Sequence, residues 1–114
     1  MSVDIYHNPR CSKSRQTLEI LIQRNIKPRV IKYLETPPDT NELKVLMVKL
    51  GITQVRDMMR TKETLYKELG LASADDETLL NAIAAHPKLL ERPIVVSNGR
   101  AKRSRPPEQV IEIL

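Results

Sequence analysis

The chain has 114 residues and a mass of 13.1 kDa, the size of one domain, and its 32 Leu, Ile and Val residues suffice for an aliphatic core without Phe or Trp, which excludes intrinsic disorder. Lys and Arg total 19 against 14 acidic residues, and the net charge of +5 favours an anionic partner without naming one. One cysteine leaves no internal disulfide framework, no Cys-x-x-Cys redox pair and no cysteine-cluster zinc site.

The start, Met1-Ser2-Val3-Asp4, lacks the basic and apolar regions of a secretory signal, and no apolar run approaches the roughly 20 residues of a membrane span. The expectation is a cytoplasmic domain with no membrane attachment. Val3-Asp4-Ile5-Tyr6 alternates apolar and polar residues and predicts a short strand, broken by His7-Asn8-Pro9. A helix follows from Cys11 or Ser12 to about Asn25, with Leu18, Leu21 and Ile22 on its apolar face. Arg29 to Leu34 reads as a second strand, so the first third predicts a βαβ unit with a parallel pair.

The middle reads as helical. Asp39 and Glu42 resemble a capping box ahead of Leu43, Leu46, Met47 and Leu50, and Gly51 ends that helix. Val55, Met58 and Met59 predict a short helix carrying Arg56 and Arg60; Leu65 and Leu69 predict another, stopped by Gly70. Ser73, Asp75 and Asp76 open a fourth, with Leu79, Leu80 and Ile83 inward and His86 and Pro87 at its end.

Ile94-Val95-Val96-Ser97 and Arg100-Ala101-Lys102-Arg103 then flank Asn98-Gly99, a strong hairpin signal. Pro106-Pro107 suits a helix start, and Val110, Ile111 and Leu114 supply its apolar face. The order gives an α/β chain with a mixed sheet: one domain over 1–114, with a helical insertion at about 39–90.

Cys11 stands after a strand and a proline-containing loop, at the start of a helix. Unpaired N–H groups and the positive helix end stabilise a thiolate there, and such positions lower a thiol pKa from about 8.5 into the range of about 3.5–7.5. Its neighbours Arg10, Ser12, Lys13, Ser14 and Arg15 suit an exposed nucleophile better than a buried structural cysteine. A phosphotyrosine-phosphatase loop is excluded, because the position that chemistry reserves for arginine holds Thr17. His7 either tunes the thiol or shapes the loop. Two distant histidines and one cysteine make no metal site.

Tyr6-His7-Asn8-Pro9-Arg10-Cys11-Ser12-Lys13-Ser14-Arg15, Tyr33-Leu34-Glu35-Thr36-Pro37-Pro38, Met58-Met59-Arg60, Glu91-Arg92-Pro93-Ile94-Val95-Val96 and Arg105-Pro106 together resemble the glutathione- and glutaredoxin-linked arsenate reductase family. The resemblance runs over essentially the whole chain. It implies a thioredoxin/glutaredoxin-like fold in which Cys11 attacks arsenate, or a similar oxyanion, while Arg60, Arg92 and Arg105 bind it. It also implies that His7 tunes the thiol, that Ser14 hydrogen-bonds the thiolate, that Asn8 shapes the loop and that Pro93 faces the thiol as a cis-proline. Glutathione is the implied co-substrate and glutaredoxin the implied partner, with no tightly bound cofactor.

One cysteine also points to an external thiol by itself, since it forms an adduct or mixed disulfide but cannot resolve it. Two other readings stay open: a glutathione-dependent thiol reductase of another substrate, and a thioredoxin-like regulatory binding protein. Only three aromatics, Tyr6, Tyr33 and Tyr66, argue against a nucleic-acid stacking platform.

Overall fold

Alternation at the amino end becomes β1, Val3–Tyr6, with Val3 and Ile5 buried and Asp4 and Tyr6 half-buried. The computed structural model describes residues 3–91, 93–103 and 107–114. α1, Ser12–Gln23, returns the chain to β2, Arg29–Ile31, which pairs parallel to β1 with Asp4 beside Arg29 and Tyr6 beside Ile31. A parallel pair needs such a crossover, because a tight turn reverses strand direction. β2 is shorter than the expected Arg29–Leu34. From Lys32 the chain turns instead, and the N–H groups of Glu35 and Thr36 both donate to the Lys32 carbonyl at 2.9 Å.

β3, Ile94–Ser97, runs antiparallel to β1, and β4, Arg100–Arg103, antiparallel to β3, giving the order β2-β1-β3-β4. All four β3 residues are buried: the apolar run Ile94–Val96, as expected of a strand inside a sheet, and the polar Ser97 after it. Asn98 and Gly99 have φ of 55° and 76°, so both central residues of the hairpin loop take the positive φ of a primed two-residue turn.

Three apolar faces differ from the sequence expectation, those of α1, of the carboxyl-terminal segment and of the short helix around Tyr66. On α1 the buried residues are Ser14, Thr17 and Leu21, while Ile22 is 54% exposed. Hydrophobicity alone points to Ile22. Ser14 and Thr17 can go inside because their hydroxyls are bonded locally, Thr17 Oγ1 donating to the Lys13 carbonyl at 2.9 Å. The carboxyl-terminal segment Pro107–Ile113 is a 3₁₀ helix, and Pro107, Val110 and Ile113 are buried. Three residues per turn align those positions, whereas the period of 3.6 selects Val110, Ile111 and Leu114. Pro106 lies outside the described residues.

Two compact units divide the chain, one formed by residues 1–36 and 92–114, the other by Pro37–Glu91. In the first, Val3, Ile5, Leu21, Val95, Val110 and Ile113 form a core cluster, with Leu18, Ile20 and Ile26 packed against it. In the second, α2 (Thr40–Leu50) and α4 (Asp76–Ala85) pack together, with α3 (Thr64–Glu68) and short 3₁₀ segments between. Asp39 and Asp75 cap α2 and α4, accepting from the N–H groups of Glu42 and Thr78 at 2.8 and 2.9 Å. Gly51 ends α2 at φ 73°, a left-handed position. α3 buries Tyr66, while Leu65 is half-buried and Leu69 is 44% exposed, so the expected Leu65–Leu69 stripe is not its inner face.

Candidate active site around Cys11

The end of β1 fixes the loop that carries Cys11. His7 N–H donates to the Ile31 carbonyl at 2.8 Å, extending the parallel ladder one residue beyond the strand. The chain then reverses: Cys11 N–H donates to the Asn8 carbonyl at 3.0 Å, closing a turn over residues 8–11. Asn8 Oδ1 accepts the Arg10 N–H at 3.0 Å inside that turn. Asn ahead of Pro favours this local arrangement, since Asn bonds its own backbone two residues on and Pro presets the next φ. Arg15 reaches back from α1, and its Nη1 donates to the Pro9 carbonyl at 2.9 Å.

Cys11 occupies the N-cap position of α1, with φ −91° and ψ 122°, and its carbonyl accepts the Arg15 N–H at 3.0 Å. It is half-exposed and in no disulfide. α1 has no acidic residue in its first turn, so no carboxylate there offsets the positive helix end.

Behind the turn, Ser14 Oγ accepts the Asn8 N–H at 3.1 Å and lies 2.7 Å from His7 Nδ1. All three residues are buried. Burial lowers the His7 pKa below its ordinary 6.5, and the positive charges of Lys32 and Arg15 push it the same way. The neutral imidazole is therefore the favoured form at neutrality, held against the Ser14 hydroxyl. Arg15 and Lys32 both act on this histidine, a part that the sequence analysis assigns to neither. Arg15 was legible as a cation one turn beyond the cysteine. Lys32 comes from the far end of the βαβ unit and gave no local signal.

Pro93 is buried directly before β3. The register Tyr6 opposite Ile94 brings it to the sheet end at which His7 begins the loop. Cys11, His7, Asn8, Ser14 and Pro93 thus belong to the first unit. Arg60 belongs to the second. There Met59 and Leu90 form an antiparallel bridge, with Arg60 N–H on the Leu89 carbonyl at 2.7 Å and Glu91 N–H on the Met58 carbonyl at 2.8 Å. Arg60 is partly exposed, and its Nη1 lies 3.3 Å from Glu63 Oε2. Arg92 and Arg105 lie outside the described residues. Among the described residues no group of three or more His, Cys, Asp or Glu side chains could hold a metal ion.

Residues 6–113 match the sequence model of the ArsC family. This chain belongs to the ArsC family. An arsenate reductase of Neisseria meningitidis is 54% identical over 114 residues, covering 98% of this chain and 97% of that one. The uncharacterized protein YfgD of Escherichia coli K12 is 55% identical over 114 residues, covering 98% of this chain and 96% of its own. A solved arsenate reductase from Vibrio cholerae is 61% identical and superposes with a TM-score of 0.97, over 100% of this chain and 98% of that one. The ArsC-family chain therefore has the thioredoxin-like α/β fold that its resemblance to this family implies, with the mixed sheet expected from the element order.

Proposed function

We propose that this ArsC-family protein is an oxidoreductase that reduces arsenate to arsenite, with Cys11 as the nucleophile and glutathione and glutaredoxin as the source of electrons. The observation that carries the reading is the position of Cys11, half-exposed at the N-cap of a twelve-residue helix whose first turn has no acid. There the helix end favours thiolate over thiol. Relatives covering nearly the whole chain and bearing the name arsenate reductase support the choice of oxyanion.

In this reading the Cys11 sulfur bonds to As(V) with loss of water, and glutathione condenses on the same arsenic with loss of a second water. A glutaredoxin thiolate then attacks the glutathione sulfur. The As–S bond breaks, its electron pair stays on arsenic to give As(III), and the two sulfurs join in a mixed disulfide. Water releases arsenite from Cys11. Arg60, Arg92 and Arg105 supply paired donors to the oxyanion, a task that suits guanidinium because its fork matches tetrahedral oxygens and keeps its charge. His7 acts as a neutral group: it holds Ser14, and Ser14 lies one helical turn from the thiolate it would hydrogen-bond. Residues 1–114 work as one domain with the 39–90 region as its insertion, in a reducing cytoplasm that supplies glutathione.

Protein mixed with arsenate, glutathione, glutaredoxin and an NADPH-coupled regenerating system should consume NADPH, and Cys11→Ser should abolish that consumption. Absence of turnover, or equal turnover by Cys11→Ser, removes the assignment. Glutathione adduction at Cys11 without any arsenate requirement would favour a thiol reductase of another substrate.

A further inference from the structure

Beside the Cys11 loop lies a cavity of about 310 Å³, walled by residues 7–10 on one side and by Lys32, Leu34 and Glu35 on the other. Its size sits at the lower end of ligand pockets, which begin near 300 Å³. Both walls are held in place. The 8–11 turn fixes one, and the double hydrogen bond onto the Lys32 carbonyl fixes the other, setting Lys32 and Glu35 three residues apart on one turn.

Three charges face this space: Arg10 and Lys32 are positive and Glu35 is negative. None of them forms an ion pair with another described residue. Lys32 and Glu35 share a turn without neutralising each other, which leaves both signs available to a ligand. Leu34 adds an apolar surface, 43% exposed, between them.

We propose that this cavity docks the tripeptide thiol itself: Arg10 and Lys32 take the two carboxylates of glutathione, Glu35 takes its α-ammonium, and Leu34 packs on the methylenes of its γ-glutamyl arm. The proposal rests on the reading above that glutathione is the co-substrate. Ligand and cavity match group for group, two carboxylates and one ammonium against two cations and one carboxylate. Reach is sufficient. Arg10 lines the cavity and Cys11 is its covalent neighbour, with Cα atoms about 3.8 Å apart, while an extended tripeptide spans about 10 Å. A thiol carried by the bound peptide can therefore be delivered to whatever Cys11 holds.

The test uses full-length Cys11→Ser protein, labelled with ¹⁵N and titrated with S-methylglutathione, which has the charged groups of glutathione but no reactive thiol. The largest amide shifts are expected at His7, Asn8, Arg10, Lys32, Leu34 and Glu35, and Lys32→Glu should weaken binding about tenfold, as should Glu35→Lys. Shifts confined to other residues, or affinity indifferent to both charge reversals, overturn the docking site. Dithiothreitol, which has neither carboxylate nor ammonium, separates the two readings. Arsenate turnover driven by dithiothreitol with no S-methylglutathione shifts at the cavity sinks the docking site alone. Cavity shifts with no arsenate turnover under any thiol support the docking site and sink the oxyanion reading.

Discussion

Three influences resist protonation of His7: burial first, then the positive charges of Lys32 and Arg15, and all lower its pKa from 6.5. A histidine that takes a proton more readily unfolded than folded makes the native state lose stability on acidification. The contribution is fully present above the unfolded pKa near 6.5 and declines as pH falls through that value toward the lower folded one. Urea midpoints at pH 7.5 and pH 5.0 should therefore drop less for His7→Gln than for the parent, even though the variant starts lower for want of the Ser14 contact. Equal drops in both proteins would show that His7 is not the group being titrated. The turn around His7 was legible, since Asn8-Pro9 announces it in two letters. The charge state was not, because burial is settled by packing and one of the two cations that reinforce it arrives from a strand end far along the chain.

At the scale of elements, sequence reading worked where one period ruled. Strict alternation gave β1, the Asn98-Gly99 pair gave the hairpin, and the acidic caps with Gly51 gave α2. It slipped where the period changed. Pro107–Ile113 winds with three residues per turn, so Ile113 is 6% exposed and Ile111 is 41% exposed, although a 3.6 period places Ile111 inside. Nothing in Val110-Ile111-Glu112-Ile113 distinguishes the two windings, because an apolar residue stands at each candidate position. Packing on the cluster of Val3, Ile5 and Leu21 decides between them. Ile113→Ala should cost about 2–5 kcal/mol, the usual loss for an aliphatic side chain truncated in a core. Ile111→Ala should stay within about 0.5 kcal/mol. Equilibrium urea denaturation distinguishes the two, and the reverse order would mean that the segment winds as an α-helix.

For the molecule as a whole, the proposed nucleophile is legible because helix start, proline loop and lone cysteine coincide within a few residues, whereas the proposed oxyanion donors, scattered from Arg60 to Arg105, leave no local mark beyond their motifs. What the whole chain does express is its net charge of +5. A positive protein attracts an anionic substrate over distances that salt screens, with a Debye length of about 10 Å at 0.1 M. Raising potassium chloride from about 0.05 to about 0.5 M should increase the KM for arsenate several-fold while kcat changes much less. Encounter and binding feel the long-range field, and the bond-breaking steps within the adduct feel the short-range contacts that salt barely reaches. Steady-state assays at saturating glutathione and glutaredoxin isolate the effect, because the encounter with those thiols then no longer limits the rate. A KM for arsenate that stays flat across the range would place its recognition wholly in desolvated contacts and leave the excess of lysine and arginine without a part in capturing the substrate.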